Sequence, residues 1–240
     1  MIRIGTSGWH YAHWRGPFYP PALPASRMLE AYLRRFDTVE LNNTFYRLPT
    51  PQAVEQWAAA APENFLFAFK LGSFGSHRKK LRDAASWMPK HLDRAERLGD
   101  HLGPTLVQLP PRWRRNAARL DEFLAIVPAT MRWAVEVRDP SWLHDETYEV
   151  LRRHNVALCV HDLVVDHPFV LTADWTYIRF HGPNAIEHPY RGAYGPRRLQ
   201  PWATRLISVL EAGHDVYCYF NNDYDGHALT DARWLRAAIA

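Results

Sequence analysis

The sequence contains little cysteine and no long apolar run, and both shortages exclude classes of protein. Cys159 and Cys218 are the only cysteines in 240 residues. Because both lie in apolar stretches and form no CxxC pair, we expect neither a disulfide framework nor a cysteine metal site. No window reaches the roughly 18 uninterrupted apolar residues that a membrane span needs. We therefore expect no membrane association.

The start of the chain and the sparse cysteines predict a cytoplasmic protein. Met1 leads into an apolar strand-like segment, not into the charged region and apolar run of a leader peptide.

The 29 lysines and arginines exceed the 25 aspartates and glutamates and give a formal net charge of +4. This mild excess allows an anionic small molecule or nucleic acid as partner without requiring either. The sequence indicates no particular cofactor and no oligomeric state.

Several well-known catalytic motifs are also absent. The sequence has no HExxH, no P-loop and no GxGxxG after a strand. The segment Gly5-Thr6-Ser7-Gly8 is one residue off the nucleophile-elbow pattern, and we interpret it as a tight strand exit whose amides could face a ligand. Since 47% of the residues are hydrophobic, the chain can nevertheless build a sizeable core.

Short apolar runs alternate with segments of helical period along the whole chain. The predicted strands are Ile2–Thr6, Thr38–Asn42, Phe65–Leu71, Thr105–Leu109, Trp133–Arg138, Ala157–Asp162, Trp175–His181 and Asp215–Asn221. The predicted helices are Ser26–Phe36, Pro51–Ala61, Pro89–Leu102, Asn116–Val127, Asp145–Asn155, Gln200–Ala212 and Thr230–Ile239. The stretch 163–174 shows no clear helix. This rhythm predicts the α/β class and one (β/α)₈ TIM-barrel domain over 1–240, with an open doubly wound sheet as the alternative.

Polar residues gather at the ends of the predicted strands. Glu40 and Asn42 share one face of the second strand, and Glu136 and Arg138 share one face of the fifth. Other strands carry the same late polarity at Lys70, Gln108, His161, Arg179, His181, Asn221 and Asn222. Both faces of a barrel strand are buried, so ionisable residues there are costly unless they are used. Because barrel enzymes build their active sites at the carboxyl ends of the strands, we predict one site at this mouth.

The charge of the predicted mouth favours an anion. Two carboxylates, Glu40 and Glu136, face three permanent cations, Lys70, Arg138 and Arg179. A phosphate is the first choice of ligand, because the ends of strands seven and eight commonly form phosphate sites. The alternative interpretation is a set of structural ion pairs that close the top of the barrel. We predict no metal, since three neighbouring cations would repel a divalent ion.

Further residues are candidates for substrate binding. Ser7 follows the first strand, and His77 lies in the loop after the third, within reach of the mouth. Trp9, Tyr46 and Trp142 lie in loops on the same side and could stack on bases or sugar rings. Packing of long loops onto the barrel rim is the alternative role for these aromatic residues.

The leading functional hypothesis is a hydrolase of a phosphate-bearing substrate, with nucleic acid among the candidates. Glu40 or Glu136 would act as general base, and His161 or His181 would protonate the leaving group. The three cations would stabilise charge on the phosphoryl oxygens.

Two other functions stay open. Glu40 and Glu136 could be the paired carboxylates of a glycosidase or sugar isomerase. Strands two and five lie far apart around a barrel, which favours the wide carboxyl gap of inverting enzymes, ~6.5–9.5 Å. The third hypothesis is a non-catalytic binder of nucleotides or single-stranded nucleic acid that uses Trp9, Tyr46 and Trp142 as stacking faces.

The motifs resemble those of one known family in order and over essentially the whole chain. They are Gly5-Thr6-Ser7-Gly8-Trp9, Trp14 to Pro20, Phe36 to Asn42, Thr44-Phe45-Tyr46, Gln108 to Pro111, Glu136-Val137-Arg138 with Ser141-Trp142, Arg179 to Gly182 and Tyr219 to Asp223. Together they are similar to domain of unknown function 72, the YecE-like family. The resemblance implies a TIM barrel with family-typical residues around its mouth, and it implies no particular reaction.

Overall fold

The chain folds into a closed barrel of eight parallel strands. A computed structural model describes residues 1–240. The strands are β1 (Ile2–Ser7), β2 (Thr38–Leu41), β3 (Leu66–Lys70), β4 (Leu102–Gln108), β5 (Trp133–Glu136), β6 (Ala157–His161), β7 (Trp175–Phe180) and β8 (Asp215–Phe220). They pair in chain order, and β8 closes the barrel by pairing with β1. This confirms the predicted (β/α)₈ barrel and excludes the open sheet.

Seven α-helices accompany the strands. They are α1 (Met28–Leu33), α2 (Pro51–Ala60), α3 (Ala84–Glu96), α4 (Ala117–Leu124), α5 (Asp145–Arg153), α6 (Gly195–Glu211) and α7 (His227–Ile239). The connection from β6 to β7 contains no helix over 163–174, as predicted. None of the helices combines the length and apolarity needed to cross a membrane.

Two predicted helix starts were wrong by more than one turn, one at Pro89 and one beside Pro201. Helix α3 was expected to begin at Pro89 and α6 at Gln200, yet each helix begins five residues earlier and contains an internal proline. The additional turns bury Trp87 in α3 and Leu199 in α6. Burial of these large side chains offsets the hydrogen bond that each proline removes. Helix α3 also ends at Glu96, which leaves Leu102 to begin β4.

Alternation along the strands separates an inner layer from an outer one. The inner cluster includes Trp175 and Tyr177 of β7 and Tyr217 and Tyr219 of β8, all buried. Their outward neighbours, such as Ile178 and Phe220, pack in the larger cluster beneath the helices. Bulky aromatic rings thus fill the lower lumen, and the ionisable residues lie above them at the carboxyl ends of the strands.

Strand β1 approaches β2 so closely at Gly5 that no larger residue fits. A Cβ at this position would lie 2.3 Å from the backbone oxygen of Thr38. Because that oxygen belongs to a barrel strand, it cannot move without disturbing the β1–β2 pairing. We expect Gly5→Ala to lower the free energy of unfolding by about 1–3 kcal/mol, measured by urea denaturation. Unchanged stability would contradict this close approach.

Candidate active site at the barrel mouth

A polar cavity of about 330 Å³ opens at the carboxyl ends of the strands. Seven of the predicted site residues line it, namely Asn42, Tyr46, Lys70, Gln108, Arg138, Arg179 and Asn221. The structure therefore brings together side chains that come from separate strands and loops of the barrel. We call this space the mouth cavity.

The floor of the mouth cavity is one arginine that binds two carboxylates. The Arg179 guanidinium on β7 donates through Nη2 to Glu40 Oε1 at 2.8 Å and through Nη1 to Glu136 Oε2 at 2.5 Å. Arg179 is 1% exposed, and both glutamates are fully buried. A single guanidinium thus spans Glu40 and Glu136, although their strands are not neighbours in the barrel.

Further hydrogen bonds hold the two carboxylates in place. The Ser7 hydroxyl donates to Glu40 Oε1, and the Tyr177 hydroxyl donates to Glu40 Oε2 at 2.7 Å. Arg138 Nε donates to Glu136 Oε1. Neither glutamate lines the mouth cavity. Their predicted use as general base, or as a glycosidase pair, does not fit this placement, because a substrate in the cavity meets Arg179 first.

The surrounding cations keep both glutamates ionised. Burial by itself raises a carboxyl pKa, but Arg179 and Lys70 outweigh it and lower the pKa of Glu40. Arg138 and Arg179 overcome burial in the same way and hold the pKa of Glu136 well below its usual value. The two carboxylates thus fix the position of Arg179 as permanent anions.

Lys70 is a buried cation of the mouth cavity with a lowered pKa. Its side chain is 4% exposed, its Nζ donates to Asn42 Oδ1 at 3.1 Å, and it lies 4.5 Å from the Phe45 ring centroid. Burial and repulsion by Arg179 lower its pKa to about 7, although Glu40 acts in the opposite direction. A lysine with this pKa is only partly charged near neutral pH, whereas the sequence pattern predicted a permanent cation at Lys70.

Arg138 has donors that the protein leaves free. Its one side-chain hydrogen bond runs from Nε to Glu136, so Nη1 and Nη2 donate to no protein group. The side chain is 16% exposed and lines the mouth cavity. A guanidinium with two unengaged nitrogens suits the paired oxygens of a phosphate or carboxylate.

Sequence reasoning missed one carboxylate that does face the cavity. Asp223 follows β8, and its side chain lies 3.5 Å from His13 Nε2 and is 15% exposed. Burial raises its pKa. With Asp223 included, three carboxylates face Arg138, Arg179 and the partly charged Lys70, so these groups carry no net positive charge. An anion is favoured instead by layering, because the cations line the cavity and two of the carboxylates lie beneath them.

Other lining residues were also outside the predicted set. They are Tyr11, Asn43, Phe45 and Tyr190. Each lies in a loop that follows a strand end, which is the only sequence signal that could have found them.

Neither of the histidines predicted to be proton donors, His161 and His181, lines the cavity. His161 Nε2 lies 2.7 Å from the Val137 oxygen, while its Nδ1 accepts from the Leu163 amide at 3.1 Å. Both ring nitrogens are thus occupied, and burial lowers the pKa of His161 to about 3. His181 is fully buried with Nδ1 3.0 Å from Asp162. Their predicted role as proton donors to a leaving group is not supported, because neither lines the cavity.

Three residues predicted to bind substrate do not line the mouth cavity, namely Trp142, Asn222 and His77. Trp142 is fully buried and donates through Nε1 to the Trp113 oxygen at 2.6 Å, so it offers no face for stacking. Asn222 is also buried, and its amide donates to Asp231 at 2.8 Å on α7 rather than towards the cavity. His77 lies beside Phe45, with ring centroids 4.9 Å apart, but does not line the cavity.

Trp9 lines a second cavity next to the first. The structure contains no group of three or more histidine, cysteine, aspartate or glutamate side chains placed to hold a metal ion.

Comparison with known proteins identifies the family. The family model described as protein of unknown function DUF72 matches residues 3–240. The UPF0759 protein YecE of Escherichia coli K12 is 32% identical over 143 residues, which are 59% of this chain. That alignment spans half the length of YecE. The UPF0759 protein YunF of Bacillus subtilis is 26% identical over 98% of this chain and 93% of YunF.

A solved structure agrees with this assignment. The crystal structure of a DUF72 family protein from Thermotoga maritima has a TM-score of 0.88 and 29% sequence identity. The match covers 99% of this chain and 98% of the other. The matched family model, the relatives and the barrel together show that this chain belongs to the DUF72 family.

Proposed function

We propose that the mouth cavity is the active site of a hydrolase that acts on a phosphate-bearing substrate. The observation that carries this proposal is the set of cationic donors along one cavity. Arg138 offers two nitrogens without a protein partner, and Lys70 Nζ makes only one side-chain hydrogen bond. Their carboxylate counterions Glu40 and Glu136 are engaged beneath the cavity by Arg179.

In this proposal the cations bind the phosphoryl oxygens and stabilise the charge that grows on them. Arg138 makes a two-pronged contact, and Arg179 contributes a fixed positive charge below it. Glu40 and Glu136 act as positioning residues, because each holds one terminal nitrogen of Arg179. Donors that are already oriented need no rearrangement during the reaction.

Asp223 and Lys70 supply the proton transfers. A water oxygen forms a bond to phosphorus, and Asp223 accepts a proton from that water. The bond between phosphorus and the leaving oxygen breaks, and the Lys70 ammonium donates a proton to that oxygen. A pKa near 7 suits Lys70 to this step, because general acids work best when their pKa is close to the operating pH. A glycosidase would need Glu40 and Glu136 as its carboxylate pair. Because neither glutamate lines the cavity, that function has less support than the hydrolase.

A screen of phosphate monoesters and diesters tests the proposal. For a substrate found in this way, we expect Arg138→Ala to lower kcat/KM about a hundredfold, because it removes donors from the transferred group. Arg152→Ala is the control, since this exposed arginine lies on α5 away from the mouth cavity. If no ester is hydrolysed and phosphate does not bind, or if both variants retain wild-type activity, the proposal is wrong.

A further inference from the structure

A second cavity adjoins the mouth cavity. It has a volume of about 510 Å³ and lies between the loop after β1, the segment after β2, and helices α1 and α2. Tyr11, Asn42 and Asn43 line both cavities. The two spaces therefore adjoin at these three residues.

Two tryptophans dominate the wall of this second space. Trp9 and Trp57 meet edge to face, with ring centroids 5.6 Å apart and planes at 84°. Both rings are half-buried, and Leu29 and Leu41 extend the apolar surface. We call this space the tryptophan pocket. Its volume lies within the range of 300–1,000 Å³ that is typical of small-molecule sites.

Polar groups border the apolar wall. Asn43 and Gln56 are exposed amide side chains that line the tryptophan pocket. Such amides can donate to and accept from the edge of a heterocyclic base. The acidic residue of the wall, Glu30, is paired with Arg27 at 3.1 Å and with Arg34 at 2.5 Å. These arginines offset its charge, so it opposes an anionic ligand little.

We infer that the substrate is a nucleoside monophosphate, with its base in the tryptophan pocket and its phosphate in the mouth cavity. This inference rests on the proposed function and names its substrate class. A base presents a flat aromatic face to Trp9 or Trp57, and stacking of this kind is sequence-tolerant. A sugar phosphate fills the mouth cavity but has no aromatic ring for the tryptophans.

The test compares binding of AMP, CMP, ribose 5-phosphate and inorganic phosphate by calorimetry. We expect Trp57→Ala to weaken AMP and CMP binding about five- to a hundredfold, the range for loss of one base-stacking contact. Inorganic phosphate and ribose 5-phosphate should bind it as they bind the wild type. Trp57→Phe keeps an aromatic face and should retain most of the affinity for AMP.

The control is Trp234→Ala, because Trp234 is a half-buried tryptophan on α7 that lines neither cavity. Melting curves confirm that each variant is folded. Trp57→Leu, which fills space without an aromatic face, carries the test if Trp57→Ala does not fold. The inference is overturned if AMP binds the wild type no more tightly than ribose 5-phosphate. It is also overturned if folded Trp57→Ala binds AMP normally.

If the proposed hydrolase function itself is wrong, the binding of inorganic phosphate shows it. In that case inorganic phosphate does not bind, or it binds Arg138→Ala and the wild type equally. Suppose instead that phosphate binding depends on Arg138 but that a base adds no affinity. The hydrolase proposal would then stand, and only the nucleotide substrate would be ruled out.

Discussion

Arg179→Met is expected to lose about 3–5 kcal/mol of unfolding free energy, because it leaves two buried carboxylates without their shared partner. Glu40 and Glu136 are fully buried, and Arg179 donates one terminal nitrogen to each. Urea denaturation at pH 8 measures the loss. Adding Glu40→Gln and Glu136→Gln should reduce it, because these changes remove the uncompensated charges.

The matched control for this variant is Arg132→Met. Arg132 pairs with Asp215 at 2.6 Å but is 38% exposed, so we expect its loss to change stability by at most about 1 kcal/mol. An equal loss in both variants would show that burial of the Arg179 ion pairs has no special effect.

The pH dependence separates charge from packing. Without Arg179, the folded-state pKa values of Glu40 and Glu136 should rise above those in the unfolded chain. The folded variant then binds protons more strongly, so its deficit against the wild type should be smaller at pH 5 than at pH 8. In the wild type both glutamates have lowered pKa values, and their stabilisation is lost only as the pH falls below the usual carboxyl range. A deficit that is constant with pH would indicate lost packing alone.

Lys70→Met is expected to reduce turnover of a phosphate ester about 10²- to 10⁴-fold, the range for loss of a general acid. The variant removes both the proton donor and one cation from the mouth cavity. Measured kcat on the ester found in the screen checks this expectation. Lys90→Met on α3 is the control, because this exposed lysine does not line the cavity. Near-normal kcat in Lys70→Met would remove Lys70 from the mechanism.

Sulfate binding gives an independent measurement of the Lys70 charge. Sulfate stays a dianion between pH 6 and 9, so a change in affinity there comes from the protein. The pKa of Lys70 is about 7. Wild-type affinity should therefore fall as the pH rises through 7, because the ammonium becomes a neutral amine. Lys70→Met should bind sulfate more weakly at pH 6 and lack this step.

Strand parity predicted much of the candidate site. The alternation Val135-Glu136-Val137-Arg138 placed Glu136 and Arg138 on one face of β5, and the two side chains are hydrogen-bonded to each other. The same reasoning placed Lys70 and Gln108 at the mouth, where both line the cavity. Parity is informative because alternate residues of a barrel strand face the lumen.

Parity could not predict the layering within the lumen. Parity gives the face of a strand but not the depth of a side chain, and Arg179 lines the cavity whereas Glu40 and Glu136 do not. Position in a loop was equally uninformative. Trp142 follows β5 but donates to the Trp113 oxygen, whereas Asp223 follows β8 and lines the cavity. Such differences arise from tertiary packing that no local sequence pattern records.

The bridge from Arg179 to two glutamates joins three strands that are not neighbours, β2, β5 and β7. Each terminal nitrogen carries a second hydrogen, so an anion can bind Arg179 while both glutamates stay attached. Binding of an anion there need not break the contacts that link these three separate parts of the barrel wall.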